Sequence, residues 1–313
     1  MKKIKRARSP KRPALTSLRD LATEQPNART AHLDKMPTAR LLRAINREDA
    51  TVHRAVARAM PQIVRVVDAV AARLKNGGRL IYVGAGTSGR LGCVDASEMP
   101  PTYGVPRTLV QAIIAGGYGA LRRSIEGAED DGEAGAAEIR ARKIGARDAV
   151  IGLSASGRAA FVREALLAAA KRGAFTACLT CNRNSPLIQC AQAAIVVETG
   201  AEVIAGSTRM KAGTAQKLVL NMISTASMVR LGRVRGNRMA QLKIKCEKLR
   251  ERAALLVMDE TGVSYEAALS ALKKSRGSIE RATALLRRKF GGVASSCPYL
   301  FVFFHQIFTI FSK

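Results

Sequence analysis

Three short segments of the chain combine glycine with serine or threonine. They are GAGTSGR from Gly84, SASGR from Ser154 and GSTRMKAGT from Gly206. Hydroxyl groups donate and accept hydrogen bonds, and glycine lets a ligand approach the backbone closely. These are the groups that hold phosphate and sugar oxygens, so the three segments together predict a sugar-phosphate site.

Each segment follows an apolar, strand-like run and leads into a helical pattern, and the first amides of a helix bind anions. Serine and threonine also cap helices where no ligand is bound, so one such segment would indicate capping alone. Three in comparable positions favour a ligand site. The candidate substrate-binding residues are Gly86, Thr87, Ser88, Ser154, Ser156, Ser207 and Thr208.

The first segment spells GxGxxG with Gly84, Gly86 and Gly89, but neither familiar nucleotide motif is complete. It lacks the lysine that ends a P-loop, and no acidic residue closes a second strand as a dinucleotide site requires. We therefore predict no cofactor and no metal.

Strand-like runs recur at RLIYVG, TLVQAIIAG, DAVIGLSAS, AFTACLT and AAIVVET, separated by alanine-rich helical segments. This alternation predicts an α/β fold with a doubly wound parallel sheet, in which ligands bind at the carboxyl ends of the strands. Helical patterning extends from about Thr38 to Lys75, and within it the segment EDATVHRAVARAMPQIVRVVDAVAARL predicts one or two long amphipathic helices before the first strand.

Composition divides the chain into four parts. We predict a basic disordered tail over 1–17, the α/β domain with its N-terminal helices over 18–235, a helical module over 236–290 and an atypical apolar tail over 291–313. The module has Gly262 and Gly277 as helix stops. The last tail holds six of thirteen aromatic residues, and its interrupted apolar run is shorter than the roughly 20 residues of a membrane span. A degenerate terminus is favoured over membrane association.

The formal net charge of +28 would suit a nucleic-acid partner, but the chain has no tryptophan and no base-reading motif. We predict no specific nucleic-acid partner. The six cysteines are scattered, which indicates reduced thiols and a cytoplasmic protein. Cys178 and Cys181 form a CxxC without a second pair, so buried core thiols are favoured over a metal or redox site.

The motifs GGRLIYVGAGTSGRLGCVDASEMPPTYG, VIGLSASGR and AEVIAGSTRMKAGTAQKLVLNMISTASMVRLGRVRGN occur in this order. With them the chain resembles the N-acetylmuramic acid 6-phosphate etherases of the sugar isomerase (SIS) superfamily, over roughly residues 18 to 290. The resemblance implies a cofactor-independent lyase that cleaves the D-lactyl ether by elimination and then hydration. It also implies a homodimer with sites near the subunit interface.

By the same resemblance, Glu98 in DASE is the general acid and Glu129 in EGAED is the base. Taken without it, Glu98 would be an ordinary helix-end carboxylate and Glu129 one of several solvated acidic residues. We expect enclosure beside MPP and a buried strand end to let Glu98 keep its proton near neutral pH. Arg209 and Lys211 either balance ligand charge or lie on the surface.

Two alternatives share the fold. A non-catalytic sugar-phosphate sensor of the glucokinase regulatory protein type is about twice as long and has two SIS domains. An aldose-ketose isomerase would explain the hydroxyl-rich segments but not DASEMPP together with EGAED. Gln241 and Cys246 depart from the etherase pattern and raise the alternative of a weakly active enzyme.

Overall fold

The computed structural model describes residues 17–239 and 247–289. The predicted terminal tails, apart from Ser17, lie outside the described residues, as do Gln241 and Cys246. The described residues form two compact units, one of residues 17–100 with 105–232 and one of 101–104 with 233–239 and 247–289. The domain boundaries that the sequence suggests stay predictions. Within the described ranges, no helix has the length and apolar character needed to cross a bilayer.

The first unit is built on a five-stranded parallel sheet, which confirms the predicted fold class. The strand order is β2-β1-β3-β4-β5, so the direction of winding reverses at the boundary between β1 and β3. The strands are β1 Leu80–Gly84, β2 Val110–Ile114, β3 Ala149–Leu153, β4 Phe175–Thr180 and β5 Ala193–Val196.

Seven helices of this unit flank or precede the sheet. They are α1 Thr38–Asp49, α2 Val52–Arg58, α3 Met60–Lys75, α4 Gly86–Tyr103, α5 Gly132–Ala141, α6 Ala160–Lys171 and α7 Lys211–Arg230.

The stretch from Thr38 to Lys75 forms three helices, and the segment predicted to hold one or two of them contains α2 and α3, of which α2 is short. The hydroxyl of Thr51 donates to the Glu48 carbonyl at 2.6 Å where α1 ends. Pro61 stands in the first turn of α3 and has no N–H, so α2 cannot continue through it. Local side-chain and backbone chemistry thus interrupts an otherwise helical pattern.

Both faces of the sheet are covered, as buried parallel strands require. On β1, Ile81 and Val83 face the core beneath α6, together with Phe161 and Leu166. Tyr82 points to the opposite face, where its hydroxyl donates to Asp95 of α4 at 2.9 Å. The alternation along β1 therefore fixes which side of the sheet α4 occupies.

Among its described residues, the second unit contains a short antiparallel hairpin and three helices, which confirms the predicted helical character of the C-terminal module. Gly262 and Gly277 follow helix ends with φ angles of 71° and 79°, as helix-stop glycines do. Its elements are β6 Val234–Arg235, β7 Arg238–Met239, α8 Glu247–Thr261, α9 Tyr265–Lys274 and α10 Ile279–Lys289.

The end of β1 and the first turn of α4 approach each other without intervening side chains. A Cβ atom added at Gly84 would lie 2.6 Å from the Gly89 nitrogen, and one added at Gly89 would lie 2.7 Å from Cγ1 of Ile114. Gly86 between them has a φ of 51°, which glycine adopts without steric cost. The glycines of the first segment therefore bring α4 directly onto the strand end.

This close approach predicts that Gly89→Ala destabilises the protein. The added methyl group would also lie 2.8 Å from the Gly84 carbonyl oxygen, and forcing such contacts costs about 1–3 kcal/mol of unfolding free energy. Denaturant unfolding measures the loss. Gly145→Ala is the matched control, since its new Cβ atom would lie 3.8 Å from the Arg172 carbonyl oxygen, an ordinary van der Waals distance. Equal stability of the two variants would contradict the packing argument.

Candidate active site

The three hydroxyl-rich segments meet around the first turn of α7. A Cβ atom at Gly213 would lie 3.5 Å from both Cγ2 of Thr87 and the carbonyl oxygen of Thr208. The preceding residue, Ala212, packs against Ala155 in a small buried cluster. The first turn of α7 therefore contacts the loop after β1, the loop after β3 and the loop after β5, as a shared ligand site requires.

The serines of the loop after β3 shape that loop themselves. The Oγ of Ser154, which is buried, accepts from the Gly157 amide at 3.0 Å, and the Oγ of Ser156 accepts from the Arg158 amide at 3.3 Å. Each hydroxyl still carries a proton of its own that a ligand oxygen can accept. Capping and ligand binding are compatible roles here.

The structure places the other candidate hydroxyls near the same edge. Ser88 is buried in the first turn of α4, and Thr87, Ser207 and Thr208 are half-buried. Half-burial leaves a hydroxyl accessible while it stays fixed by its neighbours. The predicted residues of all three segments thus lie at the carboxyl ends of the strands.

A cavity of about 270 Å³ opens beside this edge and brings Gly86 and Glu129 together. Glu126, Asp130 and the guanidinium of Arg90 also line it. Three acidic residues beside one arginine give the cavity a negative character, which suits a proton-accepting group.

Glu129 is held in this cavity by its backbone. Its carbonyl oxygen accepts from the Phe161 amide at 3.0 Å, in the first turn of α6. Arg90 links α4 to the same loop region, because its Nε donates to the Ala120 carbonyl at 2.9 Å. The Glu129 side chain itself is exposed. Its position at the mouth of the cavity leaves it accessible to a substrate.

Glu98 lies elsewhere. It is exposed on α4, one turn after the exposed Val94, and does not line the cavity that contains Glu129. The expected enclosure beside a strand end is wrong for the single chain. The segment MPP continues α4, and at 1.5 Å per residue Glu98 is about 18 Å along the helix from Gly86.

The buried carboxylate of α4 is Asp95. It accepts hydrogen bonds from Tyr82 Oη at 2.9 Å, Asn221 Nδ2 at 2.7 Å and Ser224 Oγ at 3.0 Å. These bonds tie α4 to β1 and α7 and so set the rotation of the helix that carries Glu98. Sequence reasoning missed Asp95, whose only signal is a polar residue on the face of α4 that meets the sheet.

The first amides of α7 bind an anion, but this anion is a carboxylate of the chain itself. The carboxylate of Glu202 accepts from the Lys211 amide at 3.0 Å and from the Ala212 amide at 2.9 Å. Burial raises the pKa of Glu202 even though both amide bonds act against that shift. Glu202 stands nine residues before Lys211, too far in sequence for an ordinary capping pattern to reveal it.

Lys211 is buried and balances the charge of a carboxylate within the protein, so the surface role expected for it is wrong. Its Nζ lies 2.8 Å from Oε2 of Glu48, and the side chain is 1% exposed. Arg29 also contacts Glu48, with Nε 2.6 Å from Oε1. Burial raises the pKa of Glu48, but the bonds from Lys211, Asn27 and Arg29 outweigh it and hold that pKa below 4.5. Arg209 is exposed.

The buried cysteines confirm the expectation of core thiols. Cys178 and Cys181 are fully buried, and Cys178 lies in β4. Burial raises the pKa of each thiol to about 12, which keeps both thiols protonated at neutral pH.

Comparison with known proteins shows the family of the chain. Residues 62–170 match the glucokinase regulatory protein N-terminal SIS domain family, and residues 133–226 match the SIS domain family. The N-acetylmuramic acid 6-phosphate etherase of Geobacillus thermodenitrificans (strain NG80-2) is 48% identical over 274 residues, which cover 88% of this chain and 93% of the relative. The chain belongs to the N-acetylmuramic acid 6-phosphate etherase family.

Other relatives extend the comparison. The etherase of Jannaschia sp. (strain CCS1) is 50% identical over 262 residues, or 84% of this chain and 83% of the relative. A phosphoheptose isomerase structure from Francisella tularensis has a TM-score of 0.49 at 17% identity, and covers 62% of this chain and 100% of its own. The etherase-family match thus spans most of the chain.

The buried ion pair of this etherase-family protein predicts an asymmetry between two variants. Glu48→Gln removes the carboxylate paired with buried Lys211, and an uncompensated buried charge costs about 3–5 kcal/mol of unfolding free energy. Lys211→Met leaves Glu48 paired with Arg29, so this variant should lose less unfolding free energy than Glu48→Gln. Denaturant unfolding at pH 7 compares the two.

The same pair predicts a pH dependence. Folding lowers the pKa of Glu48, so the ionised carboxylate stabilises the folded state. This contribution to the free energy of unfolding is complete above about pH 5 and is lost as the pH falls below 4.5 toward the lowered pKa. The stability gap between wild type and Glu48→Gln should therefore narrow in that window. A gap that stays constant down to pH 3, or a Lys211→Met variant less stable than Glu48→Gln, would refute this account.

Proposed function

We propose that this chain is a carbon-oxygen lyase that cleaves the D-lactyl ether of N-acetylmuramic acid 6-phosphate, giving N-acetylglucosamine 6-phosphate and D-lactate. The observation that carries the proposal is the 48% identity to an etherase across 93% of that relative's length. The activity belongs to the recycling of cell-wall amino sugars. It acts on a sugar phosphate, for which the converging hydroxyl-rich loops are chemically suited.

The proposed reaction needs one group that accepts a proton and one that donates a proton. Glu129 removes the C2 proton, which the open-chain C1 aldehyde acidifies. The bond between C3 and the ether oxygen then breaks, and Glu98 protonates the departing lactate oxygen. A water molecule then adds its hydroxyl group to C3 and gives its other proton to Glu98. Glu129 gives a proton to C2, so both carboxyl groups end in their starting protonation states. The step consumes one water and needs no oxidant or reductant.

The placement of Glu129 supports its role as the base. It lines a cavity with Gly86, next to the hydroxyl groups that meet at α7. We propose that Ser88, Ser154, Ser156, Ser207, Thr208 and the glycine-rich turn at Gly86 and Thr87 bind the sugar phosphate. A substrate held there extends its reacting carbons toward the acidic cavity, away from the hydroxyl loops that bind its oxygens.

Glu98 needs a less aqueous environment than the single chain provides, and we propose that a second copy supplies it in a homodimer. Val94 is 60% exposed and lies one helical turn before Glu98 on α4. A protein surface placed over this apolar side chain would remove water from the adjacent carboxyl group. In this proposal, the second copy supplies the less aqueous environment that Glu98 needs to act as the acid.

We also propose that the enzyme acts in the cytoplasm. The cysteines within the described part of the chain, Cys93, Cys178, Cys181 and Cys190, are free thiols. Free thiols are stable in a reducing compartment. The substrate, a phosphorylated sugar, is also charged and is retained by a membrane once formed.

The regulator alternative is not favoured. The matching glucokinase regulatory protein model covers residues 62–170, whereas the etherase relatives match across nearly the whole length of both chains. Glu98 and Glu129, the proposed proton-transfer groups, are also both accessible in this chain. A sensor that only binds sugar phosphate needs no such pair.

The lyase proposal predicts D-lactate release from N-acetylmuramic acid 6-phosphate by the purified protein. Reaction in water labelled with oxygen-18 should put the label at C3 of the sugar, and reaction in deuterium oxide should put deuterium at C2. Glu98→Gln and Glu129→Gln should each lower kcat at least about 100-fold, the usual contribution of general acid-base groups. Mass spectrometry of the product reads both labels.

Glu133→Gln is the matched control, since Glu133 belongs to the same acidic run but lies in α5 and pairs with Arg140. It should keep wild-type kcat. A folded wild-type protein that binds the sugar phosphate but releases no lactate would reject the lyase proposal and support a sensor.

The dimer proposal predicts a particle of twice the chain mass in sedimentation equilibrium at micromolar concentration. Val94→Arg places a charge on the proposed contact face and should shift the protein toward monomer, with a parallel loss of lactate release. Exposed Val64 on α3 gives a matched control, Val64→Arg, which should leave the mass unchanged. A fully active Val94→Arg dimer would show that this face is not the interface.

A further inference from the structure

A hydrogen-bonded bridge joins two of the three hydroxyl-rich loops through a residue near the N-terminus. Asn182, in the turn after β4, donates from Nδ2 to Thr23 Oγ1 at 3.1 Å and to the Ala155 carbonyl at 2.9 Å. The carbonyl of Thr23 accepts from the Gly206 amide at 3.0 Å. The path runs from Ala155 through Asn182 and Thr23 to Gly206.

Both ends of the bridge lie next to candidate substrate-binding residues. Ala155 stands between Ser154 and Ser156, and Gly206 directly precedes Ser207. A shift of either end therefore moves a hydroxyl group that the proposed function assigns to the substrate.

The bridge is built to be rigid. Thr23 is fully buried and Asn182 is 2% exposed, so water does not compete for these bonds. The Thr23 amide also donates back to Asn182 Oδ1 at 3.4 Å, which makes the link reciprocal. The Ala155 carbonyl accepts two further bonds, from Thr180 Oγ1 at 3.1 Å and the Cys181 amide at 3.0 Å. Every polar atom of the Asn182 side chain is thus engaged.

We propose that Thr23 and Asn182 are positioning residues that set the spacing between the loop of Ser154 and Ser156 and the loop of Ser207 and Thr208. The proposal rests on the proposed function of those loops. Neither residue reacts with substrate in this account. Together they hold two groups of hydroxyls at the separation that one sugar phosphate spans.

This role predicts a particular kinetic signature. Loops that bind substrate equally in the ground state and the transition state affect KM and leave kcat unchanged. Thr23→Val keeps the shape of the side chain and removes the acceptor of the Asn182 amide, while the backbone bond to Gly206 remains. We expect a KM about tenfold higher, the worth of one buried hydrogen bond, with kcat within about twofold of wild type.

Two further variants separate the bridge from general packing. Thr23→Ser retains the hydroxyl and should restore KM to within about twofold of wild type. Asn182→Asp keeps the size of the side chain but turns a donor toward Ala155 into an acceptor, and should raise KM at least as much as Thr23→Val. Because both residues act through one path, the double variant Thr23→Val/Asn182→Asp should be little worse than Asn182→Asp alone.

The control is Thr176→Val at the opposite end of β4. Thr176 is also fully buried, and its Oγ1 accepts a backbone bond from Gln192 at 3.2 Å, but it lies away from the loops. It should lose stability without a change in KM. Lactate release at varied N-acetylmuramic acid 6-phosphate concentration gives KM and kcat, and circular dichroism confirms folding.

The outcomes are distinct. No lactate from folded wild type would reject the proposed function. Active wild type with an unchanged KM in folded Thr23→Val and Asn182→Asp would overturn the bridge alone. A KM raised equally by Thr23→Ser, Thr23→Val and Thr176→Val would also overturn it, by showing a general packing effect. If Thr23→Val does not fold, Asn182→Asp and Thr23→Ser decide the question on their own.

Discussion

The arrangement of the site depends on the carboxylate of Glu202, which binds the first two amides of α7. A helix start leaves its amides unpaired, and in a buried position those amides need a partner. Glu202 supplies it from inside the chain at 3.0 and 2.9 Å. The first turn of α7 is therefore fixed in place, and the three hydroxyl-rich loops pack around Ala212 and Gly213.

Charged side chains lie in two separate places around the first turn of α7. Behind α7, the buried Lys211 is paired with Glu48. On the open side, the cavity beside Gly86 carries Glu126, Glu129 and Asp130 against a single Arg90. Hydroxyl groups therefore meet the sugar phosphate in the proposed complex, while carboxylates meet the reacting carbons.

The two proposed proton-transfer groups receive different support from the fold. Glu129 is fixed through its own backbone at the start of α6, inside a cavity that contains a predicted binding residue. Glu98 depends on the rotation of α4, which Asp95 sets by binding Tyr82, Asn221 and Ser224. A helix held this firmly presents Glu98 outward at a constant angle. A general acid on such a face needs a covering surface, and for that reason the proposed mechanism includes assembly of two copies.

The parallel sheet, the three hydroxyl-rich loops and the helix-stop glycines Gly262 and Gly277 could all be predicted from the sequence. Apolar alternation, glycine conformation and capping are local properties, which short segments display directly. Three features become visible only in the folded chain. Glu202 occupies the start of α7, Lys211 is buried and Glu98 is exposed. The partners Glu48 and Lys211 are 163 positions apart, and burial and pairing at such separations arise from packing that no local pattern contains.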